Sequence, residues 1–235
     1  MKKTASEANV WSDDDEQQVL SAIQNWLDKE VRHIVQKFDH ADEYPFELVE
    51  QMKELGLFGA TIAQEYGGLG LPATCYAKVV AMITEVWMAP TGIFNSHLIM
   101  AACVERFGTE EQKREFLPRF ASGELRGGLA LTEPNAGTDL QAIRTTAVAE
   151  GDEYIINGTK TWISNGIYGT CFALLTKTDT KADPRHKGMS MFIAEKSDGF
   201  YESKKIEKLG YHCIDSAELV FENYRISKDR LIGGE

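Results

Sequence analysis

Residues 129–140 read Leu-Ala-Leu-Thr-Glu-Pro-Asn-Ala-Gly-Thr-Asp-Leu, an apolar run that ends in a polar turn with hydroxyls on both sides. Pro134, Asn135 and Gly137 are turn formers, whereas Ala130 and Leu131 have the texture of a strand. A second unusual stretch follows after a hairpin pattern: Thr161-Trp162-Ile163-Ser164-Asn165-Gly166. Thr132, Thr138 and Ser164 can each donate and accept a hydrogen bond, Gly137 lets backbone approach a ligand, and Trp162 offers a large flat face. Donors, bare backbone and an indole together suit a planar heteroaromatic ring. The same residues also fit a strand-end turn and a tryptophan in a sandwich core, and residue types alone leave both readings open.

Other chemistry is poorly served. Residues 68–73, GLGLPA, have the G-x-G-x-x-A form of a dinucleotide fingerprint but do not join a strand to a helix, which favours a plain interhelical loop. The histidines at 33, 40, 97, 186 and 212 lack H-E-x-x-H spacing or a nearby Cys/His set, so no metal site is expected. There is no G-x-S-x-G elbow and no G-x-x-x-x-G-K-[ST] phosphate loop. Cys75, Cys103, Cys171 and Cys213 are far apart and form no C-x-x-C pair, which reads as buried thiols.

A formal charge of −11 opposes attraction to nucleic acid, so none is expected as a partner, and any anionic ligand must meet local cations. Arg185, His186 and Lys187 are candidates, although a solvated loop of mixed charge explains them equally well. Lys204, Lys205 and Lys208 read as surface. The first ten residues have lysines but no apolar stretch behind them, and nothing later approaches a membrane span, so a cytoplasmic protein without membrane attachment is expected.

The elements that must position these residues fall into two halves. Val19, Leu20, Ile23, Trp26, Leu27, Val31, Ile34, Val35 and Phe38 form one helical stripe, with N-cap oxygens at Ser12 to Asp15 ahead of it. Pro45 is expected to open a second helix with the stripe Phe46, Val49, Met52, Leu55 and a stop at Gly56. Helical patterns follow around Cys75–Trp87 and Ile93–Phe107, and Thr109 with Gln112 predicts a capping box for a helix through Phe120. After about Gly123 short β-rich runs take over, at 128–131, 145–150, 154–157, 160–163, 171–176, 189–194 and 218–221. Without β-α alternation this predicts an α+β chain, an all-α unit over 1–125 and a mostly antiparallel β-barrel or sandwich over 126–235.

Residues 130–142, Ala-Leu-Thr-Glu-Pro-Asn-Ala-Gly-Thr-Asp-Leu-Gln-Ala, resemble the signature segment of the acyl-CoA dehydrogenase family of flavoproteins. Residues 65–70, 157–165 and 219–223 resemble further segments of that family, so the resemblance extends over most of the chain. It implies that Leu129, Ala130, Leu131, Thr132, Gly137 and Thr138 wrap the flavin of FAD, with Leu131 and Thr132 near its pyrimidine end. It also implies that Trp162 lies against the isoalloxazine, with Ile163 beside it and Ser164 at the N5 region. Thr138 would touch acyl-CoA as well; the phosphates of CoA need cations, for which Arg185 and Lys187 are the candidates named above. Ser164 stands where the family more often has Thr, and Leu129 where it commonly has an aromatic.

The family's reaction is α,β-dehydrogenation of an acyl thioester, and its catalytic glutamate lies in a C-terminal four-helix domain. That domain would begin where this sequence stops, at Leu231-Ile232-Gly233-Gly234-Glu235, so no catalytic residue is assigned in this chain and Glu133 does not replace the base. The expectation is a fragment, or one member of a split enzyme, with a homo-oligomer or a partner chain supplying the remaining domain. Acyl-CoA as substrate and an electron-transfer flavoprotein as acceptor are the implied partners. Acyl-CoA oxidases and flavin monooxygenases share the fold, and a non-catalytic binding or assembly module is a further reading.

Overall fold

In the computed structural model, which describes residues 11–234, a reciprocal cap starts the helical half. The Ser12 hydroxyl accepts from the Asp15 N–H and the Asp15 carboxylate accepts from the Ser12 N–H, opening α1 (Asp13–Trp26). The stripe does not run on as one straight helix to Phe38. A wider π-type turn at Leu27–Val31 keeps Leu27 and Val31 buried, and the chain breaks before α2 (Val35–Ala41). The extra residue in that turn changes the helical phase, and Ile34, Val35 and Phe38 pack only partly against the core.

In α3 (Phe46–Glu54) the buried side chains are Leu48, Val49 and Met52, while Phe46 faces out against the rings of Tyr44 and Tyr168. Pro45 sits at the N-cap position, one residue before the helix and without a side-chain capping bond, and Gly56 takes a left-handed φ of 70° just past its end. Then come α4 (Ala73–Val86) and α5 (Met88–Phe107). The latter begins ahead of the Ile93 stripe because Pro90 sits in its first turn, where a missing N–H costs nothing. The predicted Thr109–Gln112 box caps α6 (Glu110–Ala121). Residues 68–73 lead into α4 with no strand before them, and a Cβ on Gly68 would lie 2.1 Å from the Ile62 carbonyl oxygen. Close packing accounts for that glycine.

The second half is one mixed seven-stranded sheet: β1 (Gly127–Ala130), β2 (Thr146–Glu150), β3 (Glu153–Ser164), β4 (Cys171–Lys177), β5 (Met189–Glu195), β6 (Phe200–Lys205) and β7 (Ser216–Ser227). The order is β1-β4-β2-β3-β7-β6, with β5 also on β4. The long ladders are antiparallel, as expected for this α+β chain, while β1 and β2 meet β4 in parallel. Two predicted runs, 154–157 and 160–163, are one strand with a bulge at Gly158 between them. Strand β6 has no counterpart in that reading, because only Phe200 in it is buried.

Successive residues of β4 serve different cores. Cys171 and Ala173 join the helical core, and Phe172 and Leu174 the core on the opposite face of the sheet. The sheet is therefore covered by helices on one side around β4 and β5, and this packing fixes β1 against α5. Gln112 ties the chain after β7 to α6. Its carboxamide donates to the Asp229 and Leu231 carbonyls at 2.6 and 2.7 Å and accepts from the Thr109 and Gly233 N–H groups at 3.0 and 3.2 Å. Gln112→Ala leaves these groups without their partner and should cost about 2–3 kcal/mol in denaturant unfolding; a loss under about 0.5 kcal/mol would show that water replaces the carboxamide.

Candidate functional site

Strand β3 loses its alternation between Lys160 and Ile163, where its register with β7 shifts. Trp162 in this bulge takes a left-handed φ of 60° and leaves 59% of its surface exposed. A bulky residue in that conformation is strained and must be held by its neighbours. The Thr161 N–H donates to the Thr132 carbonyl at 2.8 Å, Ile163 is buried, and the Asn165 carboxamide donates to the Ile93 and Gly127 carbonyls at 2.9 and 2.8 Å. The indole is thus pushed out of the sheet, which removes the core reading of this tryptophan.

Opposite Thr161, residues 133–136 close a tight turn through two backbone bonds, Glu133 N–H to Ala136 O and Ala136 N–H to Glu133 O. The Glu133 carboxylate points inward. It accepts from Lys160 Nζ and the Thr145 N–H, both at 2.9 Å, and from the Arg144 N–H at 2.6 Å. Burial raises the carboxyl's pKa, but these bonds and the Lys160 charge outweigh that and hold it below the ordinary glutamate value. Lys160 is held below its usual value by burial, partly offset by Glu133. Glu133 is therefore an enclosed anion already fully engaged.

Turn and bulge line a cleft of about 800 Å³, with Thr132 to Gly137, Thr161 and Trp162 on one side and Lys204 to Glu207 with Glu218 on the other. A Cβ on Gly137 would meet only Thr132 Cγ2, at 4.0 Å, so internal packing does not demand glycine there. No described backbone hydrogen bond uses the N–H of Gly137 or Thr138. Bare backbone with free donors beside an exposed indole is an arrangement that can receive the edge and face of a flat, polar ring.

The sequence-derived residues divide accordingly. Thr132, Gly137 and Trp162 come together in the cleft. Ala130 and Ile163 bury their side chains in the sheet core and Leu129 packs on the helical core, so these three can offer a ligand chiefly backbone. Leu131 and Ser164 are half-buried neighbours of the cleft residues, and Thr138 is exposed at the end of the turn. Arg185 and Lys187 are exposed in a short turn between β4 and β5 and line no part of the cleft. Sequence reading missed the wall from Lys204 to Glu207, whose charged residues carry no motif.

That wall is tied to the helical half. Lys205 Nζ pairs with the Asp42 carboxylate at 2.9 Å, and the same carboxylate accepts from the Cys213 N–H at 2.8 Å. His212 sets one ring nitrogen 2.9 Å from the Asp39 carbonyl and the other 3.0 Å from the Lys208 carbonyl. Only the imidazolium can donate to both. On α5, a Cβ at Gly92 would lie 1.8 Å from the Tyr211 hydroxyl oxygen, so glycine admits the loop here. Among the described residues no cluster of His, Cys, Asp and Glu could hold a metal ion, and no helix is long and apolar enough to cross a membrane.

Two domain models of one family match consecutive parts of the chain, the "Acyl-CoA dehydrogenase, N-terminal domain" over residues 13–124 and the "Acyl-CoA dehydrogenase, middle domain" over residues 128–224. The chain belongs to the acyl-CoA dehydrogenase family. A short-chain specific acyl-CoA dehydrogenase of Clostridium acetobutylicum is 38% identical over 220 residues, which are 92% of this chain and 57% of that protein. The crystal structure of an acyl-CoA dehydrogenase from Geobacillus kaustophilus superimposes with a TM-score of 0.89 at 34% identity, over 97% of this chain and 60% of the other. A glutaryl-CoA dehydrogenase from Mycobacterium smegmatis, solved in complex with FADH2, superimposes with a TM-score of 0.80 at 28% identity, over 94% of this chain and 55% of the other. The chain thus spans little more than half the length of these acyl-CoA dehydrogenases.

The His212 contacts make the anchoring of the Lys208–Cys213 segment on α2 sensitive to pH. Hydrogen bonds to the Asp39 and Lys208 carbonyls raise its pKa. A raised folded-state value means that the stabilisation is complete below about pH 6.5, the unfolded value, and is lost as pH rises through the folded value. The melting-temperature gap between this acyl-CoA dehydrogenase homologue and its His212→Ala variant should be widest below about pH 6.5 and narrow as pH rises through the folded-state value; a gap constant with pH would exclude the charged form.

Proposed function

We propose that the cleft holds the isoalloxazine of FAD and that the complete protein dehydrogenates an acyl-CoA thioester. The observation that carries this reading is the exposed Trp162, strained in its bulge and sharing a cleft with a turn whose Gly137 and Thr138 amides find no backbone acceptor among the described residues. Free donors at one end and an indole face at the other match the polar edge and flat body of a flavin, so the residues present fit the group. The family and the FADH2-containing relative support the same assignment.

When bound, FAD supplies an acceptor for the hydride that leaves the thioester's β-carbon. This chain's residues bind and orient it. Leu129 to Leu131 offer backbone, Thr132 and Ser164 offer hydroxyls, Trp162 covers one face, and Ile163 anchors the bulge. Thr138, exposed at the mouth of the turn, reaches toward the acyl-CoA, and Arg185 and Lys187 are the cations proposed for its phosphates. Glu133 takes no proton, since its oxygens are occupied by Lys160 and two backbone amides. The α-proton then goes to a carboxylate from outside these residues, consistent with relatives whose length the chain only half spans.

Residues 1–125 and 126–235, of which 1–10 and 235 lie outside the described residues, act as a helical unit and a flavin-binding unit. An electron-transfer flavoprotein is the proposed acceptor, and a further domain, from the same protein or a partner subunit, completes the site in the cytoplasm. The visible absorption spectrum of the purified chain, recorded after FAD is added and the excess removed, tests the flavin reading. A retained flavin band is expected. Trp162→Ala should weaken FAD binding about tenfold, in line with the ~1–3 kcal/mol that stacking on an aromatic ring contributes. Equal affinity in variant and parent would take the indole out of the site.

A further inference from the structure

Glu133 and Lys160 form an ion pair at 2.9 Å whose side chains are 6% and 0% exposed. A buried pair of this kind gains little net stability, because desolvation offsets most of its attraction. Its partners therefore need another account, and their placement supplies one. Glu133 begins the turn over the cleft, and Lys160 precedes the Trp162 bulge on the neighbouring strand. Lys160 Nζ also donates to the Leu131 carbonyl at 3.0 Å, so the ammonium grips the turn on both sides of Thr132. The carboxylate in turn fixes the Arg144 and Thr145 amides at the entry to β2. The Lys160 contacts thus bracket Thr132, which lines the cleft, and the Glu133 contacts tie the start of the turn to the chain entering β2.

We infer that the Glu133–Lys160 pair is a positioning device that sets the distance between the 131–138 turn and the Trp162 indole, and hence the width of the slot for the flat ring. Glu133 lies on the cleft wall, but both charged groups are buried and engaged with each other and with backbone, so neither is free to bond the ring. The bulge makes the coupling direct: Lys160 faces inward and is held to the turn, the register slips, and the indole emerges on the cleft side. If Lys160 lost its hold, the strand could relax its left-handed residue and draw Trp162 away.

The proposal rests on the flavin reading for what fills the slot, but its first test needs no flavin. The chain is labelled with 5-fluorotryptophan, and the ¹⁹F line of Trp162 is assigned by its loss in Trp162→Phe. In Glu133→Gln/Lys160→Met, which neutralises both partners, the Trp162 line should shift or split, while the lines of Trp26 and Trp87 in the helical core keep their places. FAD affinity should fall at least tenfold in the same variant. An unmoved Trp162 line overturns the proposal, as does parental FAD affinity in a folded variant. A parent that binds no FAD while its Trp162 line depends on the pair would sink the flavin reading and leave the positioning role standing. If the neutral variant does not fold, Glu133→Asp serves: it keeps the charge and withdraws the carboxylate by one methylene, so the Trp162 line must move there, and an unmoved line refutes the role.

Discussion

Strand β3 pairs with β2 along its first half and with β7 along nearly its whole length, and it slips register twice on the way. Everything in the cleft depends on that second slip. Regular pairing through residues 160–163 would put Trp162 on a fixed face of the sheet with a normal backbone, whereas the bulge turns it outward at a left-handed φ. The strain is held by contacts on all sides: Thr161 to Thr132, Asn165 to α5 and β1, and Lys160 to Glu133. A rigid surround is what allows a strained residue to persist where a ligand can use it.

The helical half contributes rigidity to this arrangement from a distance. Gly92 on α5 admits Tyr211, Asp39 and Asp42 near the end of α2 hold His212, Cys213 and Lys205, and the Ile93 carbonyl receives Asn165. The two walls of the cleft, from segments over 40 residues apart at 162 and 204–207, are thus both braced against the helical half, one through α5 and the other through the end of α2. A side chain at Gly92 would collide with Tyr211 and displace this loop. The two matched domain models, over residues 13–124 and 128–224, meet where the helical half gives way to the sheet.

Much of this was legible in residue types. Ser12 with Asp15, Thr109 with Gln112, and Gly56 are local signals, because a cap or a left-handed stop is made by residues a few positions apart. The Pro134–Gly137 turn and the alternating runs of the sheet are local in the same sense. Strand β6 was not legible, since an edge strand with charged, exposed residues has no hydrophobic period to read. The π-type turn at Leu27–Val31 was hidden for a related reason: it preserves the apolar stripe while changing its phase.

The sequence by itself determined the α+β order, the turn at 133–137, the hydroxyls and the indole, and through its segments the family. Those features arise from short-range chemistry, which neighbouring residues express wherever the chain goes. Tertiary structure alone decided that Trp162 is exposed rather than core, that Glu133 is an enclosed partner of Lys160 rather than a free carboxylate, and that Lys204 to Glu207 form a wall. Each of these depends on register shifts and long-range pairing, and a one-residue slip exchanges the two faces of a strand without changing a single residue.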